Sequence, residues 1–202
     1  MMYLSGCITP ALITAQSAYL GVMYQPGMGN QLPPGLPWAA DNGCYAQGER
    51  FDVQLFLHWL DGLTRDGCLF AVAPDVVGDM VATLARSLPM LPRIRGLGFK
   101  AALVGQDGAE LVSIPWGEFD TWFIGGSTTW KLSPKSRDLA LEAKRRGKWV
   151  HMGRVNSYQR VQIAYSWRCD SVDGTYLKFG PRTNWPTLLS WLEINYQGVL
   201  WS

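Results

Sequence analysis

Leu69-Phe70-Ala71-Val72-Ala73-Pro74-Asp75 (LFAVAPD) sets how the rest of the chain reads. Five consecutive apolar residues closed by a proline and an aspartate are too few for a helix, and they lack the alternation of a half-exposed strand. They predict a strand buried on both faces. Similar runs follow at Phe99–Val104 (FKAALV), Thr121–Ile124 (TWFI), Trp149–Met152 (WVHM) and around Ser171-Val172, with amphipathic stretches between them. That rhythm is how parallel strands joined by crossover helices read. One predicted helix starts after Ser133, with Pro134 in its first turn, and runs through RDLALEAKRR to stop at Gly147. A second spans about Asn156 to Trp167, with Asn156 as its cap, and a third about Trp185 to Tyr196. Upstream, Phe51–Thr64 has apolar residues at helical spacing, and Trp38-Ala39-Ala40 is a short strand-like run. Between them and the N-terminal stretch lies a loop, Gln25–Pro37, too long and too rich in breakers for a simple turn, which reads as an active-site flap or as disordered.

The 202 residues fit one α/β domain, residues 1–202, able to bury a substantial core. With 48% hydrophobic and 17% charged residues the chain is globular in composition, and it holds no run of about 18 apolar residues that would span a bilayer. The N-terminus lacks the basic start of a secretory signal and Pro10 interrupts it, so the expected location is the cytoplasm. Cys7, Cys44, Cys68 and Cys169 are far apart with no histidine at ligand spacing, so no zinc site is built from local sequence and buried, inert thiols are expected; neither a metal nor a cofactor is assigned. A net charge of +2 neither requires nor excludes a polyanionic partner.

In parallel βα folds, ligands bind at the carboxyl ends of the strands. The unusual residues fall there in phase. Asp41 follows WAA; Asp75 and Asp79 follow LFAVAP; Gly125 and Gly126 follow TWFI; Gly153 follows WVHM; Asp170 and Asp173 flank the last strand. A lone loop aspartate is usually a cap or turn residue, and a glycine usually a turn, but several in register predict a site built around carboxylates.

The ordered segments Asp41-Asn42-Gly43-Cys44-Tyr45, Pro74–Asp79, Val104–Gly108, Ile124–Ser127, Val150–Val155 and Cys169–Asp173 resemble, across about residues 38 to 175, motifs of the tRNA-guanine transglycosylase family. The resemblance is closer to its short phage relatives, which insert 7-deazaguanines into DNA. It implies a TIM-like (β/α) barrel, reduced relative to the full-length family because about 250 residues are typical. It also implies a guanine exchange through a covalent aspartyl intermediate. By position, Asp173 would be the nucleophile and Asp41 the general acid/base. Asp79, or else Asp75, would read the base edge, Gln106 and the amides around Gly125, Gly126 and Gly153 would bind the base, and Met152 would pack on its face. The family's cluster of three cysteines and a histidine is missing. Gly174-Thr175-Tyr176 also stands where Pro-Thr-Arg is expected. These departures favour DNA over tRNA as the polymer, with a free 7-deazaguanine of the preQ0 type as co-substrate. A homo-oligomer is possible, and a membrane role is not expected.

For the phosphates, Arg154, Arg168, Lys178 and Arg182 are the expected contacts, since Lys144–Lys148 should lie at the amino ends of the strands. A duplex guanine would have to be flipped out, with the Gln25–Pro37 loop or Trp130 filling the gap. The competing expectations are a partner-dependent nucleic-acid-binding protein, a tRNA-directed transglycosylase, and a base-releasing N-glycosidase.

Overall fold

A computed structural model describes residues 1–6, 18–28 and 32–198. Cys7 and residues 29–31 of the predicted flap lie outside the described residues. Eight strands, β1 (Met2–Ser5), β2 (Leu20–Tyr24), β3 (Trp38–Ala40), β4 (Cys68–Val72), β5 (Ala101–Gly105), β6 (Thr121–Ile124), β7 (Trp149–Met152) and β8 (Ser171–Gly174), form a closed barrel. Each pairs in parallel with the next, and β8 returns to β1 through the register Tyr3–Val172 and Leu4–Asp173. The (β/α) barrel expected from the resemblance is therefore present and complete. The reduction expected from chain length is not a loss of strands: all eight are present, each of three to five residues.

Around the barrel lie α1 (Cys44–Gln47), α2 (Val53–Asp61), α3 (Met80–Ser87), α4 (Leu91–Gly96), α5 (Thr128–Lys131), α6 (Pro134–Arg145), α7 (Tyr158–Ser166) and α8 (Pro181–Gly198). Their starts follow local chemistry. Asp52 accepts from the amides of Gln54 and Leu55, and Ser133 from Ser136, each satisfying an amide that the first helical turn leaves unpaired. At α7 the cap is Ser157, one residue later than expected. Asn156 instead accepts the Thr175 amide at 2.7 Å, tying the loop after β7 to the end of β8.

The apolar residues divide by strand face. Leu4, Met23, Ala39, Phe70, Val72, Ala102 and Val104 fill the barrel, with Phe123 and Trp149 packed against them. Residues of the opposite parity, such as Leu20, Trp38, Leu103, Trp122, Ile124, Val150 and Val172, join the helices in a larger outer core. Full burial of each Leu, Val, Ile, Phe or Met among them contributes roughly 1.5–3 kcal/mol. Among the described residues no helix is long and apolar enough to cross a membrane.

Candidate active site

Strand parity carries the inward face of the barrel up to its carboxyl end. Two residues beyond Ala39 stands Asp41; beyond Val104, Gln106; beyond Phe123, Gly125; beyond His151, Gly153; and beyond Ser171, Asp173. All five of these residues line one pocket of about 280 Å³, together with Asn42, Tyr45, Asp75, Val77, Gly126 and Arg154. The expected carboxylates at positions 41 and 173, which are distant in sequence, thus meet across a shared cavity near the lower limit of usual ligand pockets.

The three aspartates differ in their surroundings. Burial pushes the Asp41 carboxyl up to about 6, helped by the negative charge of Asp173 and opposed by the amides of Gly43 and Asn42. Burial also raises Asp75, against the pull of two amide donors. Asn42 Nδ2 donates to its Oδ1 at 2.9 Å, and Gln106 Nε2 donates to its Oδ2 at 2.7 Å. The Gln106 carbonyl is engaged in turn by the Gly78 amide at 2.9 Å. Asp75 is therefore held rigidly, with lone pairs on both oxygens left for a ligand. Asp173 Oδ1 lies 3.0 Å from His151 Nε2.

The glycines give the pocket its floor. A β-carbon on Gly125 would stand 2.6 Å from Val104 Cγ1 and 3.1 Å from Gln106 Nε2. Gly126 takes φ 70°, and a β-carbon there would lie 2.8 Å from Asp107 Oδ2. Asp107 accepts from the Ser127 amide and hydroxyl, fixing that loop.

Several expected residues fall elsewhere. Asp79 does not read the pocket: its carboxylate caps α3, accepting from the Ala82 amide at 2.9 Å, and Asp75 occupies the place by the cavity. Met152 has the wrong parity to pack on a ligand, and its wholly buried side chain joins the outer core. Trp130 is buried and its indole donates to Glu110 at 2.8 Å, so it is not free to fill a flipped-base gap. Arg168 lies in the turn before β8, at the amino end of the barrel and so away from the pocket. Its φ of 58° and amide bond to Tyr165 belong to the helix stop. Asp170 is also on that end, where it accepts from Lys144 at 2.7 Å and from the Val150 amide.

Arg154 does line the pocket. It takes φ 60° and donates to Gly126 O, while the Arg160 guanidinium donates to the Arg154 carbonyl at 2.9 Å. Lys178 and Arg182 are exposed in the segment following β8, on the carboxyl side. Two residues escaped the sequence reading. His151 is wholly buried inside the barrel, and Lys131 is wholly buried under the pocket wall with Nζ 2.6 Å from Gly153 O. Burial, with Arg154 and Arg160 nearby, lowers the Lys131 ammonium to about 8, and Asp173 opposes this. A lysine inside the short apolar context Trp130-Lys131-Leu132 was the available signal. Among the described residues, no group of three or more His, Cys, Asp or Glu is placed to hold a metal ion.

No family model matches the sequence, and no curated protein does. Among solved structures the chain is similar to the Bacillus subtilis YkuI protein, with an EAL domain, in complex with substrate c-di-GMP and calcium. The identity is 19% over 70% of this chain and 37% of that chain, with a TM-score of 0.43. The chain spans little more than a third of that protein's length.

Proposed function

We propose that the chain is a guanine transglycosylase that exchanges guanine in DNA for a 7-deazaguanine base of the preQ0 type. The observation that carries this reading is the convergence of Asp41, Asp75 and Asp173, with Gln106, on one pocket. It adds to the resemblance in motif order across residues 38 to 175.

Asp173 attacks the anomeric carbon, forming a C–O bond while the C–N bond to guanine breaks. The bonding pair leaves on the base, which takes up a proton from Asp41. The second half reverses these events: the incoming deazabase gives its proton to Asp41, its nitrogen displaces the carboxylate, and Asp173 is regenerated. Asp41 suits both duties because its proton is held more tightly than an ordinary carboxyl would hold it. Asp75 accepts hydrogen bonds from the N–H and amino group along the base edge, a pairing a charged acceptor makes strongly. Arg154 at the pocket and the exposed Lys178 and Arg182 supply phosphate contacts. The free thiols of Cys44, Cys68 and Cys169 suit a reducing cytoplasm, the location this function requires.

The test is release of labelled guanine from DNA on addition of free deazabase, with mass spectrometry of the nucleosides formed. Exchange is expected, and Asp173→Asn is expected to abolish it while leaving the fold intact. Abasic DNA without added base would instead identify a hydrolase. DNA binding with no turnover would identify a partner-dependent binding protein, and exchange confined to tRNA a tRNA enzyme.

A further inference from the structure

Below the pocket, four side chains form one hydrogen-bonded line. Trp149 Nε1 lies 2.8 Å from Ser171 Oγ, Ser171 Oγ 2.8 Å from His151 Nδ1, and His151 Nε2 3.0 Å from Asp173 Oδ1. The directions follow from what each group can do. An indole N–H only donates, so Ser171 accepts from Trp149. A nucleophilic Asp173 is an ionised carboxylate, which only accepts, so on that role His151 Nε2 carries the proton. The Ser171 hydroxyl, already an acceptor, turns its own proton to Nδ1. Every donor therefore points toward Asp173.

The line is built into the barrel interior. His151 and Ser171 are both wholly buried. The imidazole is packed against the rings of Phe123 and Phe70, with centroids 4.4 and 5.2 Å away. Although serine, histidine and aspartate occur in it, Ser171 is no nucleophile. It is shut away from the pocket, and its hydroxyl is engaged from both sides. Nor is the line a proton wire, because Trp149 at its far end has no site to accept a proton.

We propose that His151 is a positioning residue that anchors Asp173 through Oδ1 and leaves Oδ2 as the oxygen that bonds to the anomeric carbon. This rests on the transglycosylase reading. Oδ2 has no hydrogen-bond partner among the described residues. When Oδ2 bonds to carbon, Oδ1 becomes the carbonyl oxygen of the glycosyl ester and keeps its bond from Nε2–H. When the incoming base displaces the ester, the C–O pair returns to Oδ2, and the same N–H stabilises the restored carboxylate.

The chain has two histidines, so in a His58→Gln variant His151 is the sole imidazole. Long-range proton–nitrogen correlation spectra of that variant are expected to show a protonated Nε2, with an Nδ1 signal that shifts in Ser171→Ala. In base exchange, His151→Leu is expected to lose about a hundredfold in kcat with KM for the free base unchanged, the scale of a misplaced reacting group. His151→Gln, which keeps an N–H near Nε2, is expected to regain part of that loss. An unprotonated Nε2, a folded His151→Leu variant with full kcat, or a loss confined to KM would overturn the proposal. Should His151→Leu not fold, Ser171→Ala decides by the same split of kcat from KM. If the wild-type chain exchanges no base, the functional reading falls, while the spectra still decide whether His151 holds Asp173.

Discussion

A β-carbon on Gly153 would stand 3.2 Å from Asp173 Oδ1 and 2.9 Å from Phe123 Cε1. The glycine is thus what permits the carboxylate and the ring to occupy their places together. Gly153→Ala is expected to lower kcat for base exchange by about a hundredfold through displacement of Asp173. Overpacking should cost about 1–3 kcal/mol of stability. Steady-state kinetics and thermal melting of the purified variant check both, and a wild-type rate would show that Asp173 tolerates the push.

Asp75 and Asp79 follow the same strand but do different work. Asp79→Ala is expected to cost about 1 kcal/mol of stability, the usual worth of a helix cap, with KM for the free base unchanged. Asp75→Asn is expected to raise that KM ten- to a hundredfold, since a hydrogen bond to a charged acceptor contributes about 1.5–3 kcal/mol. Measuring melting temperature and KM on both variants separates the roles.

Asp41 makes stability depend on pH in a direction opposite to that of a salt-bridged aspartate. In the folded protein its carboxyl keeps its proton to about 6, whereas an unfolded chain releases it near 4. The folded state binds more proton between those values, so stability falls as pH rises through that window and stays lowered above it. Asp41→Asn, which never ionises there, is expected to exceed the wild type by about 1–3 kcal/mol at pH 8 and by nothing at pH 3, read from denaturant melts. Single-turnover release of guanine by the wild type should decline as pH rises through about 6.

Lys131 gives the reverse slope. Its folded ammonium loses a proton near 8, against about 10.5 when unfolded, so the folded state binds fewer protons between those values. Stability therefore rises over that interval. Relative to Lys131→Met, the wild type is expected to gain about 2–3 kcal/mol between pH 7.5 and 10.5. A pH-independent difference would show that the ammonium is not desolvated.

Strands β4 to β7 were legible because a parallel strand covered on both faces is a largely apolar run, whereas β8 (SVDG) was marked by Ser171-Val172 and the βα rhythm. β1 and β2 were not: MYLS and LGVMY are short and sit in a stretch that is mildly apolar throughout. The same unbroken burial hid strand parity. In WVHM both faces are covered, so nothing in the hydrophobic pattern says that His151 turns into the barrel and Met152 away from it. Asp41 and Asp173 were found because strand ends mark the ligand side whatever the parity. Asp79 misled because it too lies past a strand end, and its capping duty depends on α3 starting at Met80. Arg168 misled for a related reason, since it stands before its strand rather than after it.

The closure of β8 onto β1 has a consequence for biogenesis. Asp41 is made early and Asp173 late, and the sheet edge that receives β8 is the first strand of the chain. A nascent polypeptide therefore carries half of its carboxylate pair with nothing opposite it. The cavity that both carboxylates line therefore comes into being only when the last strand docks.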